Sequence, residues 1–212
     1  MTTTSPLLAE FGGLTVEHDA QVLEPRSWTL LQSDWAVEFD AVLPPGPMLE
    51  LCCGVGHIGL EAVRRTRRHL VQVDVCDSAA AFARRNAAAA GLTDHVTVRC
   101  AALLGLCAST ERFPLVLADP PYLPSTDVAS FPADPERAVD GGPDGLAVVA
   151  ECVAVIDQVL DDGGVALLQV RGPAQAAEVA RQLPAGLRAG EVRSHDDERA
   201  VLALFRAEGA SR

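Results

Sequence analysis

Apolar residues recur along the chain in two alternating patterns, and from Met48 onward the alternation is regular. Short, nearly continuous apolar runs occupy Met48–Cys52, Leu70–Asp74, Val96–Cys100, Leu115–Ala118 and Val165–Val170. Runs of this length predict strands covered on both faces. Between them lie Ala-rich amphipathic stretches near His57–Arg67, Ala79–Ala90, Gly145–Leu160 and Ala174–Leu183, which predict helices. Strand–helix alternation predicts a mainly parallel sheet sandwiched by helices. Gly190–Ser194 and Ala200–Arg206 flank the polar HDDER and break that alternation, so they predict a terminal antiparallel hairpin. The expected fold is a doubly wound α/β domain with a seven-stranded sheet, five strands parallel and the C-terminal hairpin completing it. LPPGP at residues 43–47 separates an N-terminal preface, 1–47, from the domain proper, 48–212. The preface is too short for a domain of its own and is expected to pack on the core.

Composition narrows the function classes. The chain has 212 residues, 49% hydrophobic and 22% charged, enough for one domain with a full core. Acids outnumber bases 29 to 17, and the net charge of -12 opposes the phosphate attraction that drives nucleic-acid binding. Every basic residue is arginine, which excludes imine chemistry on lysine. The opening MTTTSPLLAEFGG has no basic leader, and no uncharged apolar run reaches the roughly 18 residues of a membrane span. A soluble, cytoplasmic protein is expected. Six cysteines without a C-x-x-C pair, and five histidines without ligand spacing, predict no metal site and mostly buried thiols. Arg64-Arg65-Thr66-Arg67-Arg68, at a helix carboxyl end, is expected to form a solvated face that complements the helix dipole. Trp28 and Trp35 either cover the site from the preface or pack in the core.

The first strand runs directly into Gly54-Val55-Gly56-His57-Ile58-Gly59. Glycines where a strand turns into a helix let backbone approach a ligand closely. Asp74 ends the next strand, where a carboxylate can accept hydrogen bonds from both hydroxyls of a ribose, so a nucleoside-containing cofactor is expected. Charge separates the two candidates. An ionised Glu50 would repel the pyrophosphate of a dinucleotide but stabilise the cationic methionine end of S-adenosylmethionine. Glu50 has a second reading as a carboxylate accepting bonds from nearby backbone amides. His57, inside the turn, either touches the cofactor carboxylate or sits at the helix surface.

The fourth strand delivers Asp119-Pro120-Pro121-Tyr122 to the carboxyl edge of the sheet, where open α/β folds place their chemistry. The prolines restrict the backbone, so the Asp119 side chain and the Pro120 carbonyl can accept both hydrogens of a substrate NH₂ while Tyr122 offers a flat face. That arrangement suits in-line methyl transfer to a planar nitrogen, where alignment alone contributes about 7–11 kcal/mol.

Glu50-Leu51-Cys52-Cys53-Gly54-Val55-Gly56 resembles the first motif of class I S-adenosylmethionine-dependent methyltransferases. The block DPPYLPSTDVASFPADPERAVDGGPDGLAVVAECV, the later DDGGVALLQVRGPAQAAEVARQL and the preface segment VLEPRSWTLL together resemble the HemK-type glutamine N5-methyltransferases. The resemblance covers roughly Val22 to Leu183 and implies the Rossmann-like methyltransferase fold. It implies that Glu50, Cys52, Gly54, Gly56 and Asp74 hold S-adenosylmethionine, with Ala102 at the adenine position. Asp119, Pro120, Pro121 and Tyr122 would hold the acceptor, Asp119 also bordering the cofactor, and the DGGPDGL loop would close nearby. The implied acceptor is a protein glutamine amide or a small planar amine.

Three features depart from that family. Asp119 stands where it usually has Asn, a difference shared with enzymes resembling nucleobase amine methyltransferases. Ala102 stands where it often has an Asp for the adenine amine. The preface leaves no room for the helical domain with which longer members recognise release factors. Methylation of a nucleobase amine therefore remains an alternative, followed by a nicotinamide-dependent reductase and a non-catalytic binding subunit.

Overall fold

Helices cover both faces of a seven-stranded sheet, which explains why its central strands are apolar at nearly every position. The computed structural model describes residues 6–207; the MTTTS at the start of the segment read for a leader lies outside them. Five parallel strands, β3 (Met48–Leu51), β4 (Leu70–Asp74), β5 (Val96–Cys100), β6 (Phe113–Ala118) and β7 (Leu160–Val170), join the antiparallel hairpin of β8 (Leu187–Asp196) and β9 (Arg199–Arg206). The spatial order is β5-β4-β3-β6-β7-β9-β8, with β9 antiparallel to β7. Successive residues serve opposite cores. Met48, Leu115 and Leu117 face one, whereas Leu49, Leu51, Val116 and Ala118 face the other. The first core is closed by α2 (His57–Thr66) and α3 (Asp77–Ala89). The second is closed by α5 (Ala147–Val159) and α6 (Gly172–Arg181). A short α4 (Glu136–Val139) lies in the connection after β6.

The preface is more structured than its sequence suggests. It forms a hairpin, β1 (Leu7–Phe11) and β2 (Leu14–His18), and a helix, α1 (Leu30–Asp40). Gly12 turns the hairpin with φ 57°, a conformation open to glycine at no steric cost. Phe11, Leu14, Val16, Val22 and Trp35 share one core with Ile58, Leu60 and Phe82. Trp35 is thus a core residue. Gln32 of α1 is fully buried and donates to the carbonyls of Ala118 and Leu167 at 3.1 and 2.7 Å.

Several boundaries differ from expectation for physical reasons. β3 stops at Leu51 because Cys52 adopts φ 55°, outside the extended region. α3 begins two residues early, at Asp77, where the Cys76 thiol caps it by accepting the Ala79 N–H at 3.4 Å. Arg64, Arg65 and Arg67 are exposed, as expected of a solvated face at the helix carboxyl end, with Arg64 paired to Glu61 and Arg65 to Asp34. Arg68 departs from that expectation: it pairs with Asp40 and donates to the carbonyls of Pro44 and Gly46. With its side chain 8% exposed, Arg68 stitches the preface to the domain. No helix among the described residues is long and apolar enough to cross a membrane.

Candidate active site

The chain runs outward from β3 through β4 to β5, then returns to the other side of β3 for β6. Ligands in open α/β sheets bind at such a reversal, beyond the carboxyl ends of the strands. Here Leu51 and Ala118 are register partners, and the Asp119 N–H donates to the Leu51 carbonyl at 3.4 Å. The glycine turn and the Asp-Pro-Pro-Tyr turn, 65 positions apart between Gly54 and Asp119, therefore leave adjacent strand ends side by side.

The glycine turn is built from beneath. Glu50 is 2% exposed; its carboxylate accepts the Gly59 N–H at 3.1 Å and the Gln72 side-chain amide at 2.7 Å. Burial pushes its pKa from 4.5 to about 7, against the lowering effect of those two bonds. Gln72 also donates to the Gly56 carbonyl at 2.9 Å. A side-chain carbon at Gly59 would fall 2.3 Å from the Glu50 carboxylate, and one at Gly56 2.6 Å from the Gln72 amide. These two glycines admit buried polar groups. Gly54 is different: it has φ 53° and open space where a side chain would project. Its N–H donates to Asp74 at 2.8 Å, and the other Asp74 oxygen accepts the Cys76 N–H at 2.8 Å. Each carboxylate oxygen retains a lone pair.

Two residues that the sequence reading passed over complete the turn. Asn86 of α3, 2% exposed, donates to the carbonyls of Val55 and Glu17 and accepts the Glu17 N–H, which joins turn, helix and β2. Thr29 donates its hydroxyl proton to the Arg26 carbonyl at 2.8 Å and so receives the His57 Nε2 proton at 3.3 Å. Burial lowers the His57 pKa from 6.5 to about 3 and keeps it neutral, and its ring packs edge-on against Phe11 at 4.6 Å. His57 is thus a buried link to the preface. Hydrophobic periodicity carries no signal for buried polar residues of this kind.

On the acceptor side Asp119 is half-buried, and burial raises its pKa from 3.8 to about 7. Burial and the neighbouring Asp119 charge also push the Tyr122 phenol up. The Tyr122 backbone is held by Gln175, whose side-chain amide donates to its carbonyl at 3.0 Å. DGGPDGL packs directly beneath: the Gly141 N–H donates to the Leu123 carbonyl at 2.8 Å, and a side chain at Gly145 would strike the Tyr122 carbonyl at 2.4 Å. A cavity of about 190 Å³ opens between Asp119, Tyr122, Arg26, Trp28, Phe131 and Arg199. Trp28 is stacked under the Arg199 guanidinium at 4.0 Å, with Arg26 5.6 Å from its ring centre. Ion pairs tie the loop after the tyrosine to its surroundings, Asp127 to Arg171 and Asp134 to Arg26. A larger hollow of about 390 Å³, lined by residues such as Val153 and Val179, touches none of the candidate residues. Ala102 is exposed beyond β5, away from the cavity. Among the described residues no His, Cys, Asp and Glu side chains form a group able to hold a metal ion.

Comparison with known proteins decides the family. Residues 29–131 match the family model described as conserved hypothetical protein 95. A release factor glutamine methyltransferase of Gloeobacter violaceus is 30% identical over 95% of this chain and 73% of its own length. The chain belongs to the release factor glutamine methyltransferase family. A second relative of that name, from Mycolicibacterium smegmatis, is 34% identical over 74% of this chain, and the match spans only 56% of the relative. Among solved structures, the catalytic domain of hMettl16 in complex with the MAT2A 3'UTR hairpin 1 superposes with a TM-score of 0.71. It has 13% identity over 94% of this chain and 77% of that one. At that identity the likeness concerns the fold, which is the Rossmann-like methyltransferase fold.

Proposed function

We propose that the protein transfers a methyl group from S-adenosylmethionine to the side-chain amide nitrogen of a glutamine in a protein acceptor, a cytoplasmic release factor being the first candidate. The observation that carries this reading is the meeting of Gly54 and Asp119 on adjacent strand ends at the sheet reversal. Residues 48–212 would carry the transfer machinery, and the preface would supply Arg26, Trp28 and Thr29 to the acceptor wall.

The residues present fit the cofactor. Gly54 leaves open space over a backbone that only glycine adopts freely, and Asp74 has lone pairs to spare beside it for a ribose diol. Cys52 and Gly56 would complete the backbone cradle. Glu50, sealed below, would shape that cradle and place acidic character beneath a cationic tail. When bound, the cofactor supplies a methyl carbon activated by an adjacent positive charge. The chain's own residues align the acceptor. Asp119 and the Pro120 carbonyl receive the two amide hydrogens, Tyr122 packs on the amide plane, and the proton released after transfer passes to Asp119 or water. A carboxyl whose pKa is about 7 suits that exchange, because its ionised form accepts the amide hydrogen and can then take up the released proton.

The size of the acceptor cavity supports a side chain over a nucleotide. About 190 Å³ lies below the roughly 300–1,000 Å³ of small-molecule sites, and a net charge of -12 works against nucleic acid. Incubation of the purified protein with a deuterated methyl donor and either release factors, ribosomal proteins or RNA, followed by mass spectrometry, tests the proposal. A mass gain on a glutamine nitrogen is expected. Label found on a nucleobase, or nowhere, overturns it.

A further inference from the structure

The acceptor turn has few donors with which to anchor itself. Pro120 and Pro121 carry no N–H, so the stretch is pinned on one side by the Asp119 N–H to the Leu51 carbonyl at 3.4 Å and on the other by the Leu123 N–H to the Val139 carbonyl at 3.0 Å. Between those points the Tyr122 carbonyl is caught by a side chain from another element. Gln175 of α6 donates to it at 3.0 Å and, through the same nitrogen, to the Gly145 carbonyl at 3.3 Å. Its oxygen accepts the Arg171 N–H at 2.7 Å, which decides that the NH₂ end of the amide meets the two carbonyls. A single side chain thus joins the segments that follow β6 and β7 to the glycine loop that precedes α5. The fit is close. Gly145, at φ 76°, approaches so near that a side-chain carbon there would lie 2.4 Å from the Tyr122 oxygen and 3.1 Å from the Gln175 nitrogen. α6 is itself seated by Ala176 and Val179 in the second core, so Gln175 extends from a fixed base.

Resting on the acceptor site proposed above, we propose that Gln175 is a positioning residue for methyl transfer, holding the Tyr122 ring and the Pro120 carbonyl at the angle the acceptor amide requires. Tyr122 and Pro120 line the acceptor cavity, whereas Gln175 grips the turn from behind and acts only through its backbone. In-line transfer is sensitive to such placement, since a displacement of about 1 Å between reacting groups costs about 10²-fold in rate. Release of the Tyr122 carbonyl therefore lowers kcat and leaves the donor half of the cleft as it was.

Tyr122 is the one tyrosine of the chain, so tyrosine-selective ¹³C labelling of the full chain gives NMR ring signals that report this residue alone. In Gln175→Ala those signals are expected to shift and broaden, and kcat for the protein acceptor to fall by about 10–100-fold. The affinity and stoichiometry of S-adenosylhomocysteine binding, read by calorimetry, are expected to stay within about twofold of wild type, which a loss of folded protein would not allow. Gln175→Glu fills the same volume and can still accept the Arg171 N–H, but it sets an oxygen against two carbonyls. It is expected to lose at least as much kcat as Gln175→Ala, whereas a side chain needed only for packing would leave it near wild type. Unchanged Tyr122 signals, or wild-type kcat in either variant, overturns the inference while the glutamine reading stands. Wild-type protein that labels no glutamine overturns that reading, and the Tyr122 signals then still decide whether Gln175 sets the turn.

Discussion

The two halves of the cleft are constructed by opposite means. On the donor side, polar groups are sealed below the surface and hydrogen-bonded to one another, Glu50 to Gly59 and Gln72, Asn86 to Val55 and Glu17, with the Gln72 side-chain oxygen left without a partner. On the acceptor side the decisive carboxyl of Asp119 is half-exposed to an open cavity, and arginine ion pairs reach across it from distant segments. A buried hydrogen-bonded network costs several kcal/mol to disturb and so holds one shape. Partly exposed ion pairs contribute about 1 kcal/mol or less and exchange easily. Under the proposed function, the donor half would be preformed for one ligand and the acceptor half would carry the adaptable contacts to a partner protein.

The sharpest way to break this contrast is Asp119→Ala. It would remove the acceptor proposed to align the substrate amide, and transfer is expected to fall by about 10³-fold while S-adenosylhomocysteine binding, read by calorimetry, changes little. Equal loss of both would mean that the two halves are not separable. Asp119→Asn should retain part of the activity and flatten its pH profile between pH 6 and 8, because the titrating group is gone.

Two glycines divide the donor half in the same manner. Gly59→Ala drives a methyl into the Glu50 carboxylate and is expected to cost about 1–3 kcal/mol of stability in denaturant titrations. Gly54→Ala meets no neighbouring atom and pays only for its left-handed backbone, about 1 kcal/mol, but should lose most donor affinity by filling the open space. If the two variants unfold alike and bind alike, their assigned roles are wrong.

A smaller effect follows from Glu50. Its pKa rises from 4.5 in the unfolded chain to about 7 in the native one, so the native state binds the proton more tightly. The resulting stability is fully present below pH 4.5 and is lost as pH rises through about 7. The advantage of wild type over Glu50→Gln should shrink between pH 5 and pH 8 in paired urea titrations. His57, with its pKa near 3, acts oppositely over pH 3–6.5 and cancels in that comparison. The smallest expected change is Arg171→Ala. Its pair with Asp127 is about one-third exposed, so stability should move by less than about 1 kcal/mol, while KM for the protein acceptor rises severalfold and kcat stays close to wild type.

Much of this architecture is readable along the chain. Apolar runs identify the central strands β3, β4 and β6 within a few residues, because burial on both faces leaves little freedom in residue type; β7 begins five residues before the expected Val165, and the more exposed edge strands β5 and β8 are located by their place in the alternation and beside the polar turn. The preface hides its structure for the converse reason. The buried face of α1 includes Gln32 and Ser33, both fully buried and hydrogen-bonded to carbonyls of other elements, so its sequence lacks an apolar stripe. Cys52 likewise gives no warning of its left-handed backbone.

The chemistry of the two turns was determined by local sequence: glycines that open a backbone, an acid ending β4, and a proline pair that stiffens an acceptor loop. Their meeting was decided only in three dimensions. β6 takes its place beside β3 rather than at the outer edge, and no local pattern records which strands become neighbours. The same holds for Trp28, Arg26 and Arg199, two from the preface and one from the last hairpin, which converge on one cavity. Strand pairing and helix packing set such long-range contacts through the summed burial of the entire core, whereas a short motif specifies only the conformation and chemistry of its own few residues.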